Sequence, residues 1–266
     1  MCSTCGCGHD DQGAVVLKPG EFATASVRPT VGDHHHHHHH DNGHHQAHNT
    51  QILEVERQIL DQNQLLAERN RGYFEAKGIT AINLVSSPGS GKTTLLETTL
   101  RELHGQVPFF VIEGDQQTAH DAQRIAALQV PVRQINTGKG CHLDSEMVHR
   151  AYSDMDLQAG GILFIENVGN LVCPALFDLG ERFRVVIIST TEGDDKPIKY
   201  PDMFAHAQVC LINKIDLLPY VNFDMQKARD YARQINPEII FFEVSATTGS
   251  GMQQWYDWLL QNSIKV

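Results

Sequence analysis

The run Ser86-Ser87-Pro88-Gly89-Ser90-Gly91-Lys92-Thr93-Thr94 constrains this chain more than any other stretch of it. It follows the apolar residues Ile82-Asn83-Leu84-Val85 and opens a segment with helical patterning. Strand, glycine-bearing turn and helix N-terminus together form the setting a phosphate loop needs. Backbone N–H groups there face an anion, helped by the positive end of the helix dipole. Lys92 is placed to reach β- and γ-phosphate oxygens, and the Thr93 hydroxyl to hold Mg²⁺. Ser86 stands where the pattern G-x-x-x-x-G-K-[ST] has its first glycine, so the unusual backbone angle falls to Gly89. Ser87, Gly89, Ser90, Gly91, Lys92, Thr93 and Thr94 are the candidate nucleotide contacts of this loop.

After Gly78 short apolar runs alternate with helical stretches. Strands are predicted at 81–86, 108–113, 132–135, 161–166, 184–190, 207–213 and 239–243, and helices at 91–103, 118–128, 144–155, 224–235 and 251–262. That alternation predicts an α/β fold, a P-loop domain with a mostly parallel sheet flanked by helices. Ligands in such sheets bind beyond the carboxyl ends of the strands, where the motifs lie. Residues 1–49 have no hydrophobic periodicity and read as a disordered Cys/His-rich tail. Residues 50–72 read as a linking amphipathic helix, with Ile52, Val55, Ile59, Leu60 and Leu66 as a stripe packed on the domain and Asn49 or Thr50 as cap. The P-loop domain is expected to span 73–266.

Base choice points to Asn213-Lys214-Ile215-Asp216, which ends the apolar run Val209 to Ile212. A carboxylate at Asp216 accepts from guanine N1–H and from its exocyclic amine, a pairing adenine does not offer. The element resembles the N-K-x-D of GTPases, and Ser245-Ala246-Thr247 resembles their S-A-x, where a backbone N–H meets guanine O6. Three motifs in order, each at a predicted strand end, favour GTP and GDP over adenine nucleotides. Glu166-Asn167-Val168-Gly169 resembles D-x-x-G, with Glu166 as a catalytic acid and the Gly169 N–H as γ-phosphate sensor. Asp115 is a second acid placed near Mg²⁺; for either acid a helix cap or solvated loop residue is the alternative.

Cys2, Cys5 and Cys7 lie within seven residues of the start, a density that core packing does not explain. The two-residue gap turns Cys2 and Cys5 toward one ion, as in C-x₂-C zinc sites, and Gly6 frees Cys7 to join them. If Met1 is removed, three sulfurs and the new amine of Cys2 suit square-planar Ni²⁺. The run His34 to His40, flanked by Asp33 and Asp41 and followed by His44, His45 and His48, does not resemble an expression tag and suits a weak Ni²⁺ or Zn²⁺ reservoir. Cys141-His142, read as beginning a helix, and Cys173, four residues past Gly169, form a third candidate cluster. Because Cys173 sits on a segment tied to the γ-phosphate sensor, the cluster has the makings of a switch. Cys210 reads as core.

The formal net charge of -11 argues against nucleic acid as a partner. No run approaches the roughly 20 apolar residues a membrane span requires, and nothing at the N-terminus reads as a signal peptide. A cytoplasmic setting follows, in which cysteines stay reduced and serve as metal ligands or core.

With these residues placed, the chain resembles the hydrogenase nickel-incorporation GTPases, the HypB family, from about residue 73 to 262. Leu84 to Thr94, Glu113 to Asp121, Cys141-His142, Glu166 to Pro174, Thr191 to Pro201 and Asn213 to Asp216 carry the resemblance, with the C-x-x-C-G-C start. It implies slow GTP hydrolysis, a nucleotide- or metal-dependent homodimer, and delivery of Ni²⁺ to nickel-iron hydrogenase. It implies a partner nickel metallochaperone and the hydrogenase large-subunit precursor as partners. It also implies a metal site of Cys141, His142 and Cys173 at the dimer interface and a tighter nickel site at Cys2, Cys5 and Cys7. A GTPase serving another nickel enzyme such as urease, and a nickel store, are the alternatives.

Overall fold

The computed structural model describes residues 15–17, 45–116 and 120–264. Cys2, Cys5, Cys7 and the run His34 to His40 lie outside the described residues. Eight strands form one sheet: β1 Val15–Leu17, β2 Thr80–Ser86, β3 Phe109–Asp115, β4 Val132–Asn136, β5 Ile162–Glu166, β6 Phe183–Ser189, β7 Val209–Asn213 and β8 Ile240–Glu243. Their order is β1-β4-β3-β5-β2-β6-β7-β8, all parallel except the β1–β4 pair. The chain leaves β2 toward β3 on one side and returns from β5 to β6 on the other. That change of winding opens a crevice at the carboxyl end of β2, where the phosphate loop sits.

The strands read as near-continuous apolar runs because helices cover both faces. On one face Leu84, Val111, Phe164, Ile187 and Leu211 pack with Leu95, Leu96 and Trp255. These partners belong to α2 Lys92–Glu102 and α8 Met252–Asn262, with α3 His120–Ala126 alongside. On the other face Ile112 and Ile165 pack with Phe74, Val148 and Tyr152, and Val186, Ile188 and Cys210 pack with Phe204, Ala228 and Ala232. The elements there are α1 His45–Lys77, α4 Ser145–Ser153, α6 Pro201–Ala205 and α7 Met225–Ile235, with the short α5 Lys196–Lys199 before α6. Cys210 is fully buried, and burial pushes its thiol pKa far up, so it is core as expected.

Three expectations are corrected. Val15–Leu17, placed in a disordered tail, forms β1 and pairs with β4, satisfying backbone groups that an edge strand leaves open. Helix α1 begins at His45 and runs to Lys77, so Asn49 and Thr50 lie inside it and neither caps it. Its apolar stripe packs only in part: Leu60 and Leu66 are half-buried, while Val55 and Ile59 are 54% and 51% exposed. Asn63, Ala67, Asn70 and Phe74 continue the same face toward the C-terminal half of the helix and are buried, whereas residues 54–59 are all exposed. Full burial of such a side chain is worth about 1.5–3 kcal/mol, and Val55 and Ile59 each forgo roughly half of it. The asparagines hold the helix through backbone partners: Asn63 Oδ1 accepts from Ser145 N–H at 2.9 Å, and Asn70 Nδ2 donates to the Ser145 and Leu179 carbonyls at 2.9 and 3.1 Å. Losing such a buried partner costs about 1–3 kcal/mol. Lastly, Cys141 and His142 do not begin a helix. They lie in the loop before α4, whose cap is Asp144, accepting from Met147 N–H at 2.7 Å.

Candidate functional site

The phosphate loop wraps between β2 and α2 with the angle expected of Gly89, φ +77°, and a second positive angle at Gly91, φ +91°. At Gly91 a Cβ would lie 2.5 Å from Asn213 Nδ2, so close approach as well as angle demands glycine. Ser86, in place of the first glycine, is buried and donates to the Ser87 carbonyl at 2.9 Å. The loop lines a cavity of about 610 Å³ with Thr94, Glu113, Asp115, Asp121, Arg124, Gly169 and Lys214. That is within the range for small-ligand sites.

Lys92 Nζ and Thr93 Oγ1 both donate to Glu166 Oε1, each at 2.7 Å. Parallel pairing of β3 and β5 sets Glu113 opposite Glu166. Asp121 joins them from α3, and the carboxylates of Glu113, Asp121 and Glu166 come within 4.8 Å of one another. Burial and the Glu166 charge push the Glu113 carboxyl well above the usual carboxylate range. Burial also works against charge at Glu166, but Lys92 and the hydrogen bonds it receives outweigh this and hold its pKa down. At Lys92 burial disfavours the ammonium, and the Glu166 and Glu113 carboxylates reverse that effect. Glu113 Oε2 and Glu166 Oε2 are buried without a hydrogen-bond partner. Orphaned carboxylate oxygens beside a threonine hydroxyl suit a hard divalent cation with oxygen ligands. Asp115 lines the cavity but stands outside this trio, its Oδ1 accepting from Gln116 N–H at 2.6 Å. Glu113 and Asp121 were missed as acids, although Glu113 ends the same apolar run as Asp115.

The base-side motifs brace the loop. Asn213 Nδ2 donates to the Ser90 carbonyl at 2.9 Å, and its Oδ1 accepts from Ala246 N–H at 3.2 Å. Lys214, with φ +62°, donates from Nζ to the Gly89 carbonyl at 2.7 Å. Asp216 is exposed on the 3₁₀ turn Ile215–Tyr220, and Ser245 Oγ accepts from Thr248 N–H at 3.2 Å. Gly169 lies against the loop, since a Cβ there would be 3.2 Å from Pro88 Cα. The stretch from Thr191 to Pro201 also touches the site. Lys196 Nζ donates to Ser87 Oγ at 2.8 Å and pairs with Glu192 at 3.2 Å, while Thr190 Oγ1 donates to the Lys214 carbonyl at 2.7 Å.

Cys141, His142 and Cys173 come together with their ligand atoms within 4.8 Å of one another. The Cys141 Sγ to His142 Nδ1 distance is 3.7 Å. Cys173 opens the 3₁₀ turn Cys173–Leu176, and Phe177 just beyond it stacks on the His142 ring at 3.9 Å. Burial lowers the His142 pKa, with Asp144 opposing. A neutral imidazole and two thiols form a donor set for a borderline or soft divalent ion.

The family model described as CobW/HypB/UreG, nucleotide-binding domain, matches residues 80–243. The hydrogenase maturation factor HypB of Escherichia coli K12 is 50% identical, over 97% of this chain and 98% of that protein. The chain belongs to the HypB family. A hydrogenase/urease maturation factor HypB of Helicobacter hepaticus is 42% identical over 74% of this chain and 82% of its own. The crystal structure of HypB from Helicobacter pylori in complex with nickel superposes with TM-score 0.72 at 35% identity, covering 76% of this chain and 95% of that one. As a HypB domain, this α/β sheet is a nucleotide-binding P-loop fold. Among the described residues no helix is long and apolar enough to cross a membrane.

Proposed function

We propose that this chain is a cytoplasmic nickel-binding GTPase that hydrolyses GTP and helps insert Ni²⁺ into nickel-iron hydrogenase. The observation that carries this reading is one of placement. A cavity lined by Lys92, Thr93 and buried carboxylates lies within the same domain as a Cys-His-Cys cluster. The Glu166–Gly169 segment connects the two in sequence.

In this reading the phosphate loop from Ser87 to Thr94 takes the triphosphate, and Asn213, Lys214, Asp216, Ser245 and Ala246 shape the guanine pocket. Thr93, Glu113, Asp121 and Glu166 would hold Mg²⁺, which when bound neutralises charge on the β- and γ-phosphate oxygens. Lys92 leaves Glu166 for the phosphates and stabilises the charge that builds as water attacks the γ-phosphorus and the bond to the β-γ bridging oxygen breaks. The Gly169 N–H reports the γ-phosphate. Lys196 holds Ser87 in place from behind. Replacing Lys196 with Ala removes a charge-assisted hydrogen bond and is expected to weaken GTP and GDP about tenfold. A fluorescent-nucleotide titration checks this, and unchanged affinity would exclude the bracing role.

Ni²⁺ is cargo, held by Cys141, His142 and Cys173 and by Cys2, Cys5 and Cys7, with Zn²⁺ an alternative ion at the first cluster. A nucleotide- or metal-dependent homodimer, a partner nickel metallochaperone and the hydrogenase large-subunit precursor complete the proposal; nucleic acid and membrane have no part in it. The dual name of the Helicobacter hepaticus relative favours a second reading, service to urease as well.

The test is a Ni²⁺ titration of the reduced protein beside its Cys2/Cys5/Cys7→Ala and Cys173→Ala variants, each with GDP and with a non-hydrolysable GTP analogue. Each variant is expected to lose a different tight equivalent of metal, and the Cys173-dependent one to respond to nucleotide. A store would take up several ions whatever nucleotide is bound, which would reject the delivery role.

A further inference from the structure

The Cys-His-Cys cluster and the nucleotide cavity are joined by a buried chain of side-chain hydrogen bonds that neither metal binding nor phosphate binding requires. Asn167 is its branch point, fully buried and adjacent to Glu166. Asn167 Oδ1 accepts from two backbone N–H groups, Leu143 at 3.2 Å and Val168 at 3.0 Å. Leu143 follows His142, and Val168 precedes Gly169. One acceptor atom therefore serves both the loop that carries Cys141 and His142 and the segment that lies against the phosphate loop.

The amide's other end leads to Cys173. Asn167 Nδ2 donates to Asn83 Oδ1 at 3.3 Å, and Asn83 Nδ2 to Glu181 Oε1 at 3.1 Å. Glu181 accepts from Leu179 N–H at 2.7 Å and pairs with Arg184 at 2.8 Å. Arg184 donates in turn to the Ala175 and Phe177 carbonyls at 3.0 and 2.9 Å. Ala175 lies on the Cys173–Leu176 turn, and Phe177 stacks on His142. Burial disfavours charge at Glu181, but Arg184 and the hydrogen bonds it accepts outweigh this and hold its pKa down.

We infer that Asn167 is the positioning residue that couples nucleotide state to the geometry of the Cys141, His142 and Cys173 cluster, an inference resting on the GTP-linked nickel role above. A buried amide cannot turn without leaving a donor or acceptor unpaired, so it occupies discrete arrangements. Movement of Val168 and Gly169 toward a γ-phosphate changes the geometry at Oδ1, which Leu143 shares. The shift passes directly to the His142 loop and through Asn83 and Glu181 to the Cys173 turn. Such a two-arrangement element is what lets a small displacement at one site alter another.

The test uses the full chain with Cys2, Cys5, Cys7 and the histidines at 34–40, 44, 45 and 48 replaced by Ala, so that Ni²⁺ titration reads the domain cluster alone. Affinities are measured at saturating GDP and at saturating non-hydrolysable GTP analogue, with and without Asn167→Ala. The parent is expected to show a nucleotide-dependent ratio of about 5- to 150-fold, typical of coupled sites. Asn167→Ala is expected to bring that ratio close to one. A residue with only a scaffolding role would weaken Ni²⁺ equally in both states and leave the ratio intact, and that result overturns the inference alone. A parent with no nucleotide dependence overturns the coupling itself along with it. Where Asn167→Ala does not fold, hydrogen exchange at the Leu143 amide of the parent decides: protection that differs between the two nucleotides supports the relay, and identical protection overturns it.

Discussion

Lys92→Ala is expected to lower the GTP turnover number by about 10²–10³-fold, the usual cost of losing one preorganised donor aimed at developing charge. The side chain is nearly buried, at 11% exposure, and its ammonium is 2.7 Å from a fully buried carboxylate oxygen of Glu166. It is thus held on the cavity wall by Glu166, ready to transfer to phosphate oxygens. Removing it also strands the Glu113–Glu166 pair without its cation, so the vacated site favours protonated carboxylates. Circular dichroism separates a folded, inactive variant from a collapsed one. The same variant should bind Ni²⁺ at Cys2, Cys5 and Cys7 as the parent does. Joint loss of turnover and tail metal binding in a folded variant would contradict separable sites.

Asp216→Asn is expected to reduce the preference for GTP over ATP by about 10²-fold, since two hydrogen bonds to an ionised acceptor are worth about 1.5–3 kcal/mol each. Solvent exposure of Asp216 places the effect toward the low end of that range. An amide also presents a donor where guanine presents donors, so the change adds a mismatch as well as removing an attraction. Competition between the two nucleotides for the fluorescent-GTP site measures it. An unaltered preference would move base selection elsewhere, to the backbone around Ser245 and Ala246.

Much of the domain is legible in the sequence. The predicted strands and main helices match the observed elements within a few residues, because a parallel sheet covered on both faces leaves long apolar runs between polar helix faces. The strand–loop–helix setting of Ser86 to Thr94, and the placement of Asn213 and Ser245 at strand ends, followed from the same alternation. Other features were hidden for identifiable reasons. Glu113 and Asp115 end one run, and only the register with Glu166 selects Glu113 for the carboxylate trio. The stripe of Val55 and Ile59 had the period of a packed face and shares the face of Asn63 and Asn70, yet residues 54–59 are all exposed and only the asparagine end of the helix meets distant segments, through carbonyl partners there. The segment from Thr191 to Pro201 had no periodic pattern to read, and its tie to Ser87 spans 109 positions.

By itself the sequence determined the chemistry available to this protein: a phosphate loop, a carboxylate just past Asn213-Lys214, and sulfur and imidazole donors, each recognisable because its residues are neighbours in the chain. Tertiary structure alone decided which acids share a site, that Cys173 meets Cys141 and His142, and that Asn167 stands between the two centres. Those facts depend on strand register and on hydrogen bonds between residues as far apart as Asn83 and Glu181. Local spacing carries no record of such pairings; they emerge only when burial forces every polar group in the core to find a partner.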